Sequence, residues 1–275
     1  MLLPQVRRAI RQERRIIICI IAAEQLRADR MLVSHTFQPV IRKLKAIGKL
    51  AAADVAAVAE LPHKVVSVGA GTHLIRQGEA PALCYALLEG YAYRAKAGRG
   101  GKSQILSFHM PGDLFDLRNL LVDNVRSSVV TLGRATVAEI RLGELRQLKE
   151  SSPAISDAFW QDTLIDAAIY EEWVLNIGQR DARSRMAHLF AEFAARRSAA
   201  LPDAPARFLL PMTQTQIAAA TGITPIHTNR VLAKLRAERA ISSQSGRVLI
   251  DDTAALRAIG GFDASYLDPL ATPAG

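Results

Sequence analysis

The hydrophobic positions of residues 212–241 predict two short helices joined by a turn. Apolar residues three or four positions apart give a helix one buried face, and here they are Ile217, Ala218, Ile223, Val231, Leu232 and Leu235. Gly222 is expected to end the first helix, because glycine enters the left-handed conformation at little cost. Thr213 can cap the first helix and Thr224 the second, with Pro225 in its first turn. This layout is the one that places a second helix in the major groove of DNA.

The second of these helices has a polar face that could read DNA. The side chains expected to face outward are Pro225, Ile226, Asn229 and Arg230. An arginine can hold guanine O6 and N7 with two hydrogen bonds, and an asparagine can do the same for adenine N6 and N7, so Arg230 and Asn229 are the predicted base readers. The other candidate DNA contacts are Thr213, Thr224, Ile226, His227 and Lys234. An amphipathic helical hairpin with a solvated polar face would show the same pattern, and the motif by itself leaves both interpretations open.

Behind the second helix the pattern becomes that of a small hairpin. Ala240-Ile241 leads into SSQSGRVLID, in which two short runs meet at Ser245-Gly246, and this predicts two strands. A hairpin in this place makes a winged helix-turn-helix domain, which we assign to residues 179–258. The remaining residues, 259–275, contain Gly, Pro and Ala and are expected to form a loose tail.

Residues 63–145 alternate apolar and polar side chains in short runs separated by glycines. The runs are HKVVSV, HLIRQ, CYALLEGYAYRAK, SQILSFH, SSVVTLG and ATVAEIRL. Many short strands with glycine turns predict an antiparallel barrel or sandwich. Residues 37–59 have helical spacing, with Asp54 as a helix start and Pro62 as a stop. The sequence therefore predicts an α+β protein whose β domain spans residues 37–148.

Residues 149–178 predict a long helix between the two domains. Pro153 suits its first turn, and its apolar stripe is broad enough to contact both the β domain and a partner helix. No clean heptad runs along it, so a helix packed on its own domain is the alternative. Gly178 is expected to end this helix, and Asp181 to cap a following helix at residues 182–197. The short break between them is a predicted hinge.

The distribution of charge along the sequence suits a polyanionic partner. The 275 residues carry a formal net charge of +9, which fits a polyanion partner but also a merely soluble basic protein. Residues 207–247 contain six basic residues and one acidic residue, and residues 1–30 contain seven arginines and three acidic residues. The excess thus lies in the proposed DNA reader and in a basic extension, residues 1–36. The apolar run 16–23 in that extension is too short to cross a bilayer, and Met31 is an alternative start.

Residues typical of catalytic or metal sites are sparse. The cysteines are Cys19 and Cys84, which lack the CxxC spacing of a zinc or iron–sulfur site and suit a reducing cytoplasm. No GxSxG, HExxH or phosphate-loop motif occurs. We therefore expect no enzyme activity, no metal and no cofactor.

The order of these parts resembles a known family. Features that resemble the jelly-roll of cyclic-nucleotide-binding domains are Gly71, Ile75, Gly78-Glu79, Tyr85, Leu88, Gly90, Phe108 and Pro111-Gly112-Asp113. With a winged helix-turn-helix behind it, the chain from about residue 37 to 250 resembles the Crp/Fnr superfamily of bacterial transcription regulators. The resemblance implies a cytoplasmic homodimer joined through the long helix, an inverted-repeat site in double-stranded DNA, and RNA polymerase as a further partner, with no membrane. Ile226 stands where members often have a glutamate, while Asn229 and Arg230 match a later serine–arginine pair.

The effector cassette of that family is altered here. Members have a glycine and a glutamate after the Pro-Gly-Asp turn, and then an arginine with a serine or threonine. The glutamate binds the ribose 2′-OH and the arginine binds the cyclic phosphate. The corresponding residues are Asp116 and Leu117, with Arg126, Ser127 and Ser128 close to the second pair of places. Leucine cannot accept a hydroxyl proton and an aspartate repels a phosphate, so we expect a different effector or none. The alternative function is a ligand-sensing or scaffold module that no longer binds DNA.

Overall fold

The computed structural model describes residues 37–80, 82–98, 101 and 103–268. The basic extension, with its apolar run and Met31, lies outside these residues, as do residues 269–275. Within the described ranges, no helix is both long and apolar enough to span a membrane. The described chain is an α+β protein with a β-rich domain, a long helix and a helix-turn-helix domain in that order, as predicted.

Helices α1 (Gln38–Ile47) and α2 (Ala52–Ala59) precede the β domain. The apolar face of α1 is buried at Val40 and Leu44, which is the helical spacing seen in the sequence. The prediction that Asp54 starts a helix is wrong by one turn, because Ala51 is the N-cap residue of α2. The Asp54 carboxylate accepts a hydrogen bond from the Ala51 amide at 2.8 Å and so satisfies a backbone donor at the helix start.

The strands of the β domain follow the alternating runs. They are β1 (Lys64–Val68), β2 (His73–Ile75), β3 (Leu83–Glu89), β4 (Ala92–Ala97), β5 (Ser103–His109), β6 (Leu114–Phe115), β7 (Ser128–Thr131) and β8 (Ala135–Arg141). Antiparallel pairing gives one sheet in the order β1-β8-β3-β6 and another in the order β2-β7-β4-β5. Alternate side chains point between the sheets, where Leu87 and Val137 pack with Val129. The antiparallel β architecture is therefore confirmed.

Helices α3 (Leu142–Ser151) and α4 (Pro153–Gln179) follow the last strand. The expected start of the long helix at residue 149 is wrong, because α3 continues to Ser151 and the Ser152 side chain caps α4. Pro153 occupies the first turn of α4, as predicted. Gly178 does not end the helix, because it does not take the left-handed conformation that stops a helix at glycine.

The C-terminal domain begins with α5 and contains the winged helix-turn-helix. Its elements are α5 (Ala182–Ala200), β9 (Phe208–Leu209), α6 (Gln214–Thr221), α7 (Pro225–Ala237), β10 (Ile241–Gln244), β11 (Arg247–Ile250) and α8 (Thr253–Gly260). Asp181 caps α5 as predicted, since its carboxylate accepts from the amides of Arg183 and Ser184 at 2.8 and 3.0 Å. The short strands form a sheet in the order β10-β11-β9.

The prediction of a loose tail from residue 259 is wrong as far as Asp268, where the described chain ends. Phe262 is buried, and the Tyr266 hydroxyl donates a hydrogen bond to the Glu192 carboxylate at 2.7 Å. The Trp173 indole donates to the same carboxylate at 3.0 Å. The segment after α8 therefore packs on α5, which in turn packs on α4.

Aromatic side chains join the two domains. The ring of Phe193 in α5 lies 5.9 Å from the ring of Phe108 on β5 and 5.3 Å from that of Tyr91. Phe108 and Phe193 are both fully buried and belong to a single hydrophobic cluster that continues from α1 to α8. The helix-turn-helix domain thus shares a hydrophobic core with the β domain and is not connected to it by a linker alone.

A buried ionic cluster crosses the same boundary. The Asp113 carboxylate, in the turn after β5, binds Lys43 of α1 at 2.7 Å and Arg196 of α5 at 3.1 Å. Burial by itself would raise the pKa of Asp113, but the charges of Lys43 and Arg196 and the hydrogen bond from His109 hold that pKa well below its usual range. The carboxylate is therefore ionised at neutral pH and links α1, the β domain and α5.

Candidate nucleic-acid interface

The first helix of the motif, α6, is fixed at both ends by local signals. The Thr213 side chain accepts from the Gln216 amide at 3.2 Å, and the Gln216 side chain accepts from the Thr213 amide at 2.8 Å. This reciprocal pair is a capping box, which satisfies backbone donors at a helix start. Gly222 ends the helix with φ +67° in the left-handed region. Both predicted ends of α6 are confirmed.

The second helix, α7, begins at the predicted residue and buries the predicted face. The Thr224 side chain caps it by accepting from the His227 amide at 3.3 Å, and Pro225 lies in the first turn. The inward positions are buried and are Thr228, Val231, Leu232 and Leu235. This face packs on the rest of the domain, so the opposite face is turned away from the protein.

The predicted base readers lie on that open face. Asn229 and Arg230 are exposed, and Ile226 beside them is 70% exposed although it is apolar. Among the described residues, the side chains of Asn229 and Arg230 have no hydrogen-bond or ion-pair partner. Their donors and acceptors are therefore free to bind an external group.

The remaining predicted contacts surround this face. His227 and Lys234 are exposed on α7, while Thr213 and Thr224 are exposed at the starts of α6 and α7. The two threonine side chains also act as helix caps, so a DNA contact would be an additional role for them. All the predicted DNA-binding residues thus lie on α7 or at the N-terminal ends of the paired helices.

The wing is the hairpin of β10 and β11. Ser242 pairs with Leu249 in antiparallel register, and the turn residues Ser245 and Gly246 have φ values of +51° and +75°. Two successive positive values match the tight hairpin turn that suits the twist of the strands. Arg247 in β11 donates to the Leu210 carbonyl oxygen at 3.2 Å. The predicted hairpin is confirmed.

Asp116 of the altered cassette is held inside the β domain. Its backbone is left-handed, with φ +61°, which is the conformation a glycine would adopt easily and an aspartate tolerates. The buried carboxylate lies 2.7 Å from the Arg94 guanidinium and 3.1 Å from that of Arg118. Arg94, at 3% exposed, also donates to the Ser127 hydroxyl at 3.0 Å. Sequence reasoning missed Arg94, because its partners are distant along the chain.

Of the other cassette residues, Arg126 and Ser127 line the same cavity, but Leu117 and Ser128 do not. Arg126 and Ser127 line a cavity of about 410 Å³ between β4, β5 and α4, together with Arg94 and Arg118. Leu117 is buried and does not line this cavity. The Ser128 hydroxyl instead accepts a hydrogen bond from the backbone N–H of Gln77 at 3.0 Å. The cavity is therefore cationic, with the Asp116 carboxylate already bound to its innermost arginine.

Family profiles match both domains of this chain. Residues 65–152 match the cyclic nucleotide-binding domain, and residues 184–259 match the Crp-like helix-turn-helix domain. The chain belongs to the Crp/Fnr superfamily. The first range contains the arginines that line the cationic cavity, whose remaining wall is formed by α4 outside both matched ranges, and the second range contains the whole of α7.

Curated Crp/Fnr relatives are similar over most of the chain. The transcriptional activator protein FnrA of Stutzerimonas stutzeri is 24% identical over 70% of this chain and 78% of its own length. The transcriptional activator protein FnrL of Cereibacter sphaeroides is 25% identical over 72% of this chain and 81% of its own. Among solved structures, FixK2 from Bradyrhizobium japonicum has a TM-score of 0.65 at 20% identity, covering 77% of this chain and all of its own. This last likeness confirms the fold.

Proposed function

We propose that this Crp/Fnr regulator binds double-stranded DNA through the exposed face of α7, with Arg230 and Asn229 as base readers. The observation that carries the proposal is that these side chains are exposed and unpaired on the outer face of a capped helix. A guanidinium and an amide are the groups that recognise guanine and adenine edges by paired hydrogen bonds. We infer that the N-terminal ends of α6 and α7, at Thr213 and Thr224, contact phosphates, because backbone N–H groups at a helix start attract anions.

The long helix supports a homodimer as the binding unit. On α4 one row of exposed positions is spaced alternately four and three residues apart and consists of Trp160, Leu164, Ala167, Glu171, Val174 and Gly178. Such spacing is that of a coiled-coil seam. Trp160, Leu164 and Val174 are 55, 57 and 73% exposed in the single chain, and covering this apolar seam favours association with a second copy.

The seam has the 3.5-residue period of a coiled coil, but Glu171 and Gly178 occupy two of its positions, so no clean apolar heptad runs the length of α4. Apolar residues also occupy the opposite face of α4, where Ile169 and Trp173 pack against the chain's own domains. Apolar residues of the seam and of the buried face alternate along the sequence, so the 3.5-residue period of the seam is not apparent from the sequence alone. A two-fold dimer along this seam would present two α7 helices, so the DNA site is expected to be an inverted repeat with half-sites about one helical turn apart.

The effector is proposed to differ from cyclic AMP. The Asp116 carboxylate stands at the glycine place of the cassette and binds Arg94 and Arg118, so a cyclic phosphate bound here would lie beside a buried negative charge that repels it. Leu117 at the glutamate place offers no acceptor for a ribose hydroxyl. Cytoplasmic location and contact with RNA polymerase are further proposals, supported by the family to which the chain belongs.

Selection of bound sequences from random double-stranded DNA tests these proposals together. The purified full-length chain is expected to enrich an inverted repeat whose half-sites do not change when cyclic AMP is added. Enrichment of a repeat only with cyclic AMP would overturn the effector proposal. The alternative, a sensor or scaffold module without DNA binding, predicts no enrichment and no salt-dependent shift of random DNA.

A further inference from the structure

The guanidinium of Arg185 joins the C-terminal ends of two helices from different parts of the molecule. At the end of α4, Arg185 Nε donates to the carbonyl oxygen of Asn176 at 3.1 Å, and Nη2 donates to those of Ile177 and Arg180 at 2.8 and 3.0 Å. At the end of α6, Arg185 Nη1 donates to the carbonyl oxygen of Thr221 at 2.9 Å. One side chain thus binds the long helix and the first helix of the helix-turn-helix together.

The residue type and its place fit this role. The last carbonyls of a helix lack partners within the helix and carry the negative end of its dipole, so they attract a cation. A planar guanidinium has donors pointing in several fixed directions and can bind both ends at once, whereas a lysine ammonium is a point charge on a flexible stem. The backbone of Arg185 is fixed as well, because its carbonyl oxygen accepts from the Asn176 side chain at 3.3 Å.

A second contact holds the same end of α6 from the β domain. The side-chain amide of Gln104, on β5, donates to the Ala220 carbonyl oxygen at 3.2 Å. Adjacent carbonyls in the last turn of α6, at Ala220 and Thr221, are therefore bound by residues from outside the helix-turn-helix. Since α6 packs directly on α7, the direction of α7 relative to α4 depends on these bonds.

We propose that Arg185 is the positioning residue that sets the angle between the long helix and the recognition helix, and thereby the spacing of the half-sites. The proposal rests on the proposed DNA binding as a dimer through α4. In that dimer the two-fold axis runs beside α4, and Arg185 connects α4 to α6 and so to α7 in each copy. Loss of the bridge leaves each α7 able to read its half-site but lets the distance between the two helices vary.

The variants separate charge from geometry. Arg185→Lys keeps the charge, and Arg185→Gln removes it. The control is Arg183→Gln, which removes a guanidinium from the same helix. Arg183 forms a bidentate pair with Glu238 at 2.7 and 2.8 Å that is partly exposed and lies within the C-terminal domain. The control therefore leaves the joint between α4 and α6 intact.

The first measurement uses a DNA library in which the half-site selected by the wild-type chain is kept and the spacer length is varied. Wild type and Arg183→Gln are expected to enrich one spacer length. Both Arg185 variants are expected to accept several lengths, to keep the same half-site bases, and to bind the wild-type spacing roughly five- to tenfold more weakly. A spacer preference as narrow as that of wild type in Arg185→Lys overturns the proposal, as does loss of the half-site sequence itself.

A second measurement does not depend on DNA. Spin labels on Glu150→Cys of α3 and Ala233→Cys of α7, both exposed positions, report the distance between the β domain and the recognition helix when labelled chains are diluted with unlabelled ones. Cys19→Ser removes the other candidate labelling site, since Cys84 is buried. Arg185→Lys is expected to broaden the distance distribution, and Arg183→Gln is not. An unchanged distribution refutes the positioning role even if the wild-type chain selects no DNA, a result that would count against the proposed function separately.

Discussion

Gly260, the last residue of α8, lies against the backbone of His188 in α5. A Cβ atom added at Gly260 would be 2.4 Å from the His188 nitrogen and 2.7 Å from its Cα. Such distances are far inside van der Waals contact, and backbone atoms cannot rotate away as a side chain can. The two helices can therefore approach this closely only because residue 260 has no side chain.

We expect Gly260→Ala to lower the free energy of unfolding by roughly 1–3 kcal/mol, as overpacking of a close contact does. Urea denaturation followed by circular dichroism measures it. Gly143→Ala in α3 is the matched control, because a Cβ there meets nothing within 4 Å and alanine favours a helix by up to about 1 kcal/mol. Equal stabilities for the two variants would show that α8 does not pack on α5 in this way.

Arg230→Ala is expected to weaken binding to the selected DNA site by roughly 1–3 kcal/mol and to relax the preference at one base position. Lys234→Ala, on the same exposed side of α7, is expected to weaken binding about equally for all sequences, because an ammonium near a phosphate carries no base preference. Titration of selected and scrambled duplexes separates these outcomes. An unchanged base preference in Arg230→Ala removes Arg230 from the readers.

Glu171 places a charge in the middle of the apolar seam on α4. In a two-fold parallel seam each residue meets its own copy, and a like-charged pair opposes association. Glu171→Leu is therefore expected to tighten the dimer, and Val174→Glu to weaken it, each by several-fold in dissociation constant. Sedimentation equilibrium measures both. Absence of any change in either variant would place the dimer interface elsewhere.

His188 makes stability depend on pH in a defined direction. Burial, followed by the nearby Arg180 charge, lowers the pKa of His188 from 6.5 to about 4, although Glu172 acts in the opposite sense. Because the unfolded chain takes up the proton more readily, the stability from neutral His188 is complete above pH 6.5 and is lost as the pH falls toward 4.

His188→Gln removes this titration. Its stability deficit relative to wild type is expected to be largest near pH 7.5 and to shrink by about 2 kcal/mol on going to pH 4.5. Chemical denaturation at a series of pH values gives the difference directly. A deficit that stays constant across this range would mean that the imidazole is not held neutral by its surroundings.

Asp116→Asn tests the pair inside the cationic cavity. An asparagine can keep the left-handed backbone, but the Arg94 guanidinium, which is 3% exposed, then loses its ion-pair partner. Breaking a buried ion pair costs roughly 3–5 kcal/mol. Glu139→Gln, which removes a 3.9 Å pair with the exposed Lys64, is expected to change stability by less than about 1 kcal/mol. Similar thermal shifts for both variants would contradict the role of Asp116.

Local signals in the sequence were enough to locate the candidate nucleic-acid interface. The caps at Thr213 and Thr224 and the left-handed Gly222 each depend on neighbours within a few residues, so their residue types predict their conformations. The outward face of α7 followed from the spacing of Val231 and Leu232. The shared exposed surface of the candidate DNA-binding residues was therefore predictable from the sequence.

Contacts between distant residues were not predictable in the same way. The pairing of Asp116 with Arg94 and the bond from Tyr266 to Glu192 join strands and helices whose approach depends on the whole fold. The tail was predicted to be loose because glycine, proline and alanine outweighed the apolar Phe262, which the structure buries. The bridge by Arg185 was missed for the same reason, since its acceptors are backbone carbonyls that leave no trace in residue type.

The contacts of the Phe193 ring with Phe108, edge to face, and with Tyr91, at a tilt, have a practical consequence for dividing this protein into two fragments. A fragment starting at Asp181 would expose the Phe193 ring, and the complementary fragment would expose Phe108. Each fragment would therefore gain an exposed aromatic patch that promotes aggregation. The intact chain should instead melt in a single cooperative transition, in which neither half outlasts the other.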